Sequence, residues 1–300
     1  MISDLHSTKT WKSGLVPITV VMISLNEGHN LKSVCENLSG WAKDVFLIDS
    51  YSEDDTVSIA LSYGVKVVQR KFRGFGNQWN FALNVLPTET SWVMKLDPDE
   101  RLTEELKLNI EKVISNSKYE AFYIKRKLWF MGRPLPIYQK IIRIWKSGSC
   151  QFTDASVNER PIINGKVGFI SGDLEHYDSP SLEHWMEKQN RYTSLEAINI
   201  FEEKPLADKE IFFGTSLQRK MWIKRNFYKF PFRYVILFLY HYLYLKAYQS
   251  GLIGYIWSRL RVDVIRHIEY KEIEMKITGR VTKKQHYGAG IPDKRIKNYK

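Results

Sequence analysis

The chain has 300 residues, of which 44% are hydrophobic, and it carries a formal net charge of +12. This apolar content is sufficient for one α/β domain with its own core and an extension. The two cysteines, Cys35 and Cys150, have no spacing that would indicate a disulfide framework or a zinc site. The charge favours a polyanionic partner such as nucleic acid, anionic lipid or a phosphorylated substrate, although a merely basic surface has the same composition.

The N-terminal residues 1–14 are polar and contain no apolar stretch of the kind found in signal peptides. We therefore expect no secretion signal and a location in the reducing cytoplasm. Cys35 falls on the apolar face of a predicted helix, which favours a buried thiol.

Strands and helices alternate through the first hundred residues. Apolar, β-branched runs predict buried strands at residues 18–25, 45–48, 65–68 and 92–96, with helices between them. Ser52 is predicted to cap the second helix, whose acidic first turn would be residues 53–55. This alternation predicts a mostly parallel, Rossmann-like sheet that is covered on both faces.

Polar residues follow all four predicted strands. They are Asn26 and Glu27 after the first strand, Asp49 after the second, residues 73–80 after the third and residues 97–100 after the fourth. Ligands of parallel α/β sheets bind beyond the carboxyl ends of the strands. We therefore expect these four clusters to share one edge of the sheet.

The predicted pattern of strands and helices changes in the second half of the chain. Shorter strands are expected between residues 121 and 169, and residues 181–203 are predicted to form a long helix. The resulting division has four parts: an N-terminal tail (1–15), an α/β domain (16–205), a helical basic and aromatic region (206–282) and a basic tail (283–300).

Residues 219–233 combine basic and aromatic side chains without an acidic residue, and residues 234–245 are almost wholly apolar. The apolar run is shorter than the ~20 residues that a spanning helix needs. Basic and aromatic flanks favour a helix that lies in a membrane interface, and a buried helical hairpin is the alternative.

Residues 95–100, with the sequence KLDPDE, are the strongest chemical signal. Three carboxylates within four residues repel one another, and a divalent cation would relieve that repulsion and could bridge a diphosphate. An Asp-Pro turn that leads into a helix at Thr103 is the alternative. The position after the fourth parallel strand favours the metal.

Three other signals are weaker. The glycines of residues 73–80 allow close backbone approach at a helix N-terminus, yet the dinucleotide fingerprint is incomplete and an ordinary turn would suffice. Asp49 could accept a hydrogen bond from a base or ribose, or be a helix-entry carboxylate. Local pattern assigns no role to Glu159 or His176.

Together these motifs resemble the inverting family 2 glycosyltransferases with the GT-A fold, and more closely the bacterial lipopolysaccharide-core β-glucosyltransferase group. The similarity covers roughly residues 17–200. It is carried by residues 20–27, 49–55, 74–83 and 96–101, and it continues through residues 139–145, 154–159, 171–176 and 188–192.

The resemblance implies a role for each matching position. The residues expected to contact substrate are Asn26, Glu27, Asp49, Gly76, Gln78, Asn80, Asp97, Arg143, Lys188 and Arg191. The residues expected at the metal are Asp97, Asp99 and His176, with Asp99 as the more direct ligand. Glu159 matches the Glu of a His-Glu pair, although Asn158 stands in place of the histidine. We expect Glu159 to be the catalytic base, with Asp154 as the alternative.

The resemblance also implies a reaction. A hexose would move with inversion from a nucleotide-diphosphate donor, by resemblance UDP-hexose, to a lipid-linked or lipopolysaccharide-type glycan, with Mn²⁺ or Mg²⁺ as cofactor. The enzyme would lie peripherally on the inner face of the cell membrane, against anionic lipid.

A sugar nucleotidyltransferase and a nucleic-acid-binding protein are the alternative functions. A sugar nucleotidyltransferase would need a glycine-rich, lysine-bearing loop, which residues 24–30 do not supply. A basic nucleic-acid-binding protein lacks support from a helix-turn-helix, zinc or RNA-binding signature, so we expect no nucleic-acid partner.

Overall fold

The computed structural model describes residues 10–85, 90–153, 159–203, 209–281 and 290–299. The chain forms two compact units. The first comprises Met1–Leu128, Tyr138–Tyr177 and His286–Lys300, and the second comprises Trp129–Ile137 and Asp178–Gln285. The domain boundaries inferred from the sequence stay a prediction.

Eleven strands are described. They are β1 (Val16–Ser24), β2 (Ala42–Asp49), β3 (Lys66–Arg70), β4 (Trp92–Lys95), β5 (Glu100–Leu102), β6 (Ala121–Phe130), β7 (Arg133–Lys146), β8 (Cys150–Phe152), β9 (Pro161–Ile163), β10 (Val167–Tyr177) and β11 (Asn298–Tyr299). The helices of the first unit are α1 (Gly28–Leu38), α2 (Thr56–Ser62), α3 (Phe75–Val85) and α4 (Glu104–Ile114).

Nine strands form one sheet in the order β11-β3-β2-β1-β4-β7-β6-β10-β5, and β8 pairs with β9 separately. The strands from β11 to β4 are parallel to their neighbours. The sheet then changes direction, because β7 is antiparallel to β4 and β5 is antiparallel to β10. The predicted α/β class with a parallel sheet is confirmed.

The central strand β1 is buried on both faces, which explains its continuous apolar sequence. Ile18, Val20 and Met22 pack into one core, and Val21 packs into a second core on the opposite face. Cys35 is fully buried in the first core on α1, as predicted, and burial raises its pKa to about 12. These two cores fix the strand ends where the polar clusters lie.

The start of α2 corrects one prediction. The helix begins at Thr56, and the Ser52 hydroxyl donates to Asp49 instead of capping a helix. The Asp54 carboxylate accepts from the Thr56 N–H at 3.0 Å and from the Gly28 N–H at 2.9 Å. Residues 53–55 therefore form a turn that joins the starts of two helices.

The second unit is helical. Its helices are α5 (Leu182–Phe201), α6 (Ser216–Asn226), α7 (Arg233–Leu239) and α8 (Gly251–Thr278), and a wider π turn (Tyr240–Tyr244) follows α7. Ser181 caps α5, which confirms the predicted long helix. Arg233 joins α7 to Glu269 of α8 through paired contacts of 2.7 and 3.0 Å. Among the described residues, every helix is too short or too polar to cross a membrane.

Candidate functional site

Asp49 joins the ends of three parallel strands. It is fully buried and accepts hydrogen bonds from Ser24 Oγ at 3.0 Å, Ser52 Oγ at 2.5 Å, the Ser52 N–H at 3.0 Å and Gln69 Nε2 at 2.8 Å. A carboxylate offers about four acceptor positions, and all four receive a donor from the chain. A nucleoside hydroxyl that binds Asp49 would therefore have to replace one of these donors, and the serine hydroxyls are the most adaptable.

Asn26 and Glu27 lie next to the loop that follows Asp49. Asn26 has a left-handed backbone with φ of 57°, which asparagine tolerates better than most residues. Its N–H donates to Ser52 Oγ, and its Oδ1 accepts from the Glu53 N–H, both at 2.8 Å. The structure thus brings together Asn26, Glu27 and Asp49, and their contact with a nucleotide stays a prediction.

Helix α3 carries three of the predicted residues, and they differ in their surroundings. Gly76 and Gln78 are buried, and Gln78 accepts from Arg70 Nη1 at 3.1 Å and donates to Ser50 Oγ at 3.3 Å. Asn80 instead exchanges two 2.8 Å hydrogen bonds with the backbone of Phe152. The carboxamide of Asn80 therefore anchors β8, while Gln78 lies beside the Asp49 loop.

The acidic motif separates into two parts with different partners. Arg143 Nη2 donates to Asp97 Oδ2 at 2.6 Å and to Glu100 Oε1 at 2.5 Å, and Arg126 Nη1 donates to Glu100 Oε1 at 3.1 Å. Glu100 is fully buried, and these two arginines neutralise its negative charge. Partial burial disfavours the charged form of Asp97, but Arg143 and Lys95 outweigh it and lower the pKa of Asp97.

Asp99 faces a histidine instead. Strand β5 pairs with β10 so that His176 is opposite Glu100, and the Tyr177 N–H donates to the Asp99 carbonyl at 2.8 Å. This register places Asp99 Oδ2 3.3 Å from His176 Nε2, and both side chains are largely buried. The strand pairing therefore brings together two of the three residues that were expected at a metal.

The Asp99–His176 pair fits a divalent cation. Oxygen and imidazole ligands lie about 2.1 Å from such an ion, so two ligands are about 3.0 Å apart at a right angle and about 3.4 Å apart at a tetrahedral angle. The observed 3.3 Å falls in that span. A further carboxylate, Asp178, follows His176 by two positions in the sequence.

Glu159 contacts Lys95, the first residue of the 95–100 motif, to which the sequence assigned no role of its own. Lys95 Nζ lies 2.5 Å from Glu159 Oε1, and both side chains are about nine-tenths buried. Lys95 also lies 4.4 Å from the centre of the Trp79 ring. Burial lowers the pKa of Lys95, with a further contribution from Arg143, while Asp97 and Glu159 oppose the shift. Asp154 and Asn158 lie outside the described residues.

Lys188 and Arg191 belong to α5 of the second unit. Lys188 Nζ donates to the backbone carbonyl and to Oδ1 of Asp178, each at 3.1 Å. Their contact with substrate stays a prediction.

The sequence grouped Glu100 with the two aspartates, but it did not single out Arg126, which contacts Glu100 in the structure. Arg126 stands between Lys125 and Lys127 on β6, and all three look equally exposed in the sequence. The available signal was the alternation of side chains along a strand, because it places Arg126 on the opposite face of the sheet from Lys125 and Lys127.

Comparisons with known proteins identify the family of the chain. The sequence matches Glycosyl transferase family 2 over residues 19–193. An uncharacterized glycosyltransferase of Rickettsia typhi is 26% identical over 202 residues, which are 62% of this chain and 68% of that protein.

Two solved structures are less similar to this chain in sequence. The mannosyltransferase PcManGT from Pyrobaculum calidifontis, in complex with GDP-Man and Mn²⁺, has 14% identity and a TM-score of 0.49, covering 88% of this chain and 90% of that chain. Glucosyl-3-phosphoglycerate synthase from Mycobacterium tuberculosis, with Mn²⁺, UDP and phosphoglyceric acid, has 15% identity and a TM-score of 0.41, covering 70% and 85%. The sequence match establishes the family without them: the chain belongs to glycosyl transferase family 2 and is a nucleotide-sugar glycosyltransferase with the α/β fold described above.

Proposed function

We propose that this enzyme transfers a hexose with inversion from UDP-hexose to a lipid-linked or lipopolysaccharide-type glycan, and that it requires a divalent metal. The observation that carries the proposal is the Asp99–His176 pair, 3.3 Å apart at the end of the parallel strands. The resemblance of this chain to the lipopolysaccharide-core β-glucosyltransferase group belongs to the same proposal.

The leaving group would be bound by the acidic motif and its histidine. Asp99 and His176 would hold Mn²⁺ or Mg²⁺, which neutralises the charge that develops on the departing diphosphate. Arg143 keeps Asp97 and Glu100 from repelling that diphosphate, because it neutralises part of their charge. Asn26, Glu27, Asp49 and Gln78 would form the nucleoside side of the pocket.

The acceptor side would be served by Glu159. Its carboxylate would take the proton from the acceptor hydroxyl as the new C–O bond forms and the bond from the anomeric carbon to the diphosphate breaks. Lys95 contacts Glu159 directly and would act as a positioning residue, because it holds the carboxylate in one place. Asp154 is kept as the alternative base.

A membrane location is supported by the surface of the second unit. Six residues of α7 and the following turn are exposed at helical spacing: Val235, Ile236, Leu239, Tyr240, Leu243 and Tyr244. Between Glu210 and Asp263 the chain has basic residues and no acidic residue. An exposed apolar face with basic flanks is suited to the interface of an anionic membrane, where a lipid-linked acceptor would be found. The exposure argues against a hairpin buried within this chain.

A donor screen tests the proposal. The purified enzyme is incubated with UDP-, GDP-, ADP- and dTDP-sugars, with Mn²⁺ or with excess chelator, and nucleotide release is measured. We expect release from a UDP-hexose only when metal is present. Equal release in chelator, or release from none of the donors in the presence of anionic lipid and a glycolipid fraction, would contradict it.

A further inference from the structure

The C-terminal segment returns to the edge of the sheet beside Asp49. Strand β11 pairs in parallel with β3, so that Asn298 is opposite Gln69 and Tyr299 is opposite Arg70. The Gln69 N–H donates to the Lys297 carbonyl at 3.0 Å, and the Ile296 side chain is buried. The segment of residues 290–299, which was expected to be part of a basic tail, thus forms an edge of the main sheet.

Gln69 connects this segment to Asp49. The Asp293 N–H donates to Gln69 Oε1 at 2.6 Å, and Gln69 Nε2 donates to Asp49 Oδ2 at 2.8 Å. A backbone N–H can only donate, so it requires the oxygen of the carboxamide on its side. The nitrogen of the carboxamide is thereby directed at Asp49. Because Gln69 is fully buried, losing the Asp293 donor would leave its oxygen unsatisfied or allow the amide to turn.

Tyr51 provides a second connection. Its backbone has φ of 63°, a left-handed conformation that is costly for an aromatic residue. Its hydroxyl donates to Asn298 Oδ1 at 2.6 Å. Gly290 approaches so closely that a Cβ there would lie 2.3 Å from the Tyr51 carbonyl oxygen. The segment therefore packs against the residue two positions after Asp49.

A third contact reaches Gln78, which is also expected in the nucleotide pocket. The Tyr299 ring lies 5.2 Å from the Phe81 ring, and Arg70 lies 4.5 Å from the same Phe81 ring. Arg70 in turn donates to Gln78 Oε1 at 3.1 Å. The three connections converge on the loops after β2 and β3.

We propose that residues 290–299 are part of the nucleotide-binding site and position Asp49 and Tyr51 to receive the nucleoside. The proposal rests on the proposed function and adds to it, because it assigns the last residues of the chain to donor recognition. Asp293 and Asn298 are positioning residues that act through Gln69 and Tyr51. Removing either connection should weaken nucleotide binding while the rest of the sheet stays folded.

The test uses four variants of the full chain and measures UDP binding by calorimetry in the presence of Mn²⁺, together with the melting temperature. Asp293→Pro removes the N–H that orients Gln69, and Asn298→Ala removes the acceptor for Tyr51. Asn298→Asp keeps that acceptor, and Lys294→Ala changes an exposed residue of the same segment. We expect about ten-fold weaker UDP binding for the first two and near-normal affinity for the last two.

Donor kinetics separate positioning from a general loss of structure. For Asn298→Ala we expect a raised KM and a nearly unchanged kcat, because saturating donor restores the bound state. If Asp293→Pro fails to fold, Asn298→Ala decides the question. Folded Asn298→Ala with wild-type affinity for UDP would overturn this inference alone. A wild type that binds none of the nucleoside diphosphates would overturn it together with the proposed function.

Discussion

Asp99 and His176 face each other at 3.3 Å, between carboxylate Oδ2 and imidazole Nε2, because β5 and β10 pair in antiparallel register. The neighbouring Asp97 is bound by Arg143 at 2.6 Å. The two aspartates of one short motif therefore have different partners. This division favours Asp99 over Asp97 as the direct metal ligand.

Replacing His176 tests whether the pair binds metal. His176→Ala should weaken Mn²⁺ binding in the presence of UDP by at least about ten-fold, because it removes one protein ligand. The measurement is a Mn²⁺ titration followed by electron paramagnetic resonance. His267→Ala, at an exposed histidine of α8, is the matched control and should bind Mn²⁺ normally. Unchanged affinity for His176→Ala would return His176 to a purely structural role.

Arg143 should be essential for stability. Arg143→Met would leave Glu100 fully buried without its shortest ion pair, so we expect a loss of about 3 to 5 kcal/mol in the free energy of unfolding. Urea denaturation measures it. Arg160→Met, at an exposed arginine, should change the free energy of unfolding by less than about 0.5 kcal/mol. A similar small change for Arg143→Met would contradict this account of the charge network.

The same variant has a defined pH dependence. Since the pKa of Asp97 is lowered in the folded protein, its pairing stabilises the fold at pH values above its usual 3.8 and is lost as the pH falls through the lowered value. The stability difference between wild type and Arg143→Met should therefore shrink in acid. A stability difference between the two proteins that grows as the pH falls from 5 to 3 would contradict this pH dependence.

The parallel half of the sheet and the buried face of α1 were predictable, since local periodicity specifies them. The antiparallel pairing of β5 with β10 was not, because it joins distant segments without a local signal, and the distance between Asp99 and His176 depends on it. Ser52 was misassigned for a different, local reason: a serine before acidic residues is typical of a helix cap, but its hydroxyl donates to Asp49, three residues earlier. Strand β11 escaped prediction because it contains only two residues and lies within a basic stretch of the chain.

Glu159 is the proposed base, and Glu159→Gln preserves its shape. Turnover should fall by about 10² to 10⁴ because proton removal from the acceptor is lost, while UDP affinity barely changes. The measurement is transfer rate at saturating acceptor. If Glu159→Gln retains near-normal turnover and Asp154→Asn does not, the role of base moves to Asp154.

The exposed face of α7 should bind anionic bilayers. Each cation near anionic lipid contributes about 1 kcal/mol, which salt screens, so flotation with anionic liposomes should be strong at low salt and weak at high salt. Leu239→Glu, on the exposed face, should reduce flotation, whereas Leu108→Glu, at an exposed leucine of α4, should not. A wild type that fails to float at low salt would exclude this face as a membrane contact.

The most direct test of metal-dependent sugar transfer is UDP release from UDP-hexose with Mn²⁺, compared between wild type and Asp99→Asn. The control is Asp173→Asn, a partly exposed aspartate on β10 near Lys127. We predict that wild type and Asp173→Asn release UDP only with metal, and that Asp99→Asn is slower by at least about 10². Wild-type release by Asp99→Asn, or by the wild type in excess chelator, would contradict the account.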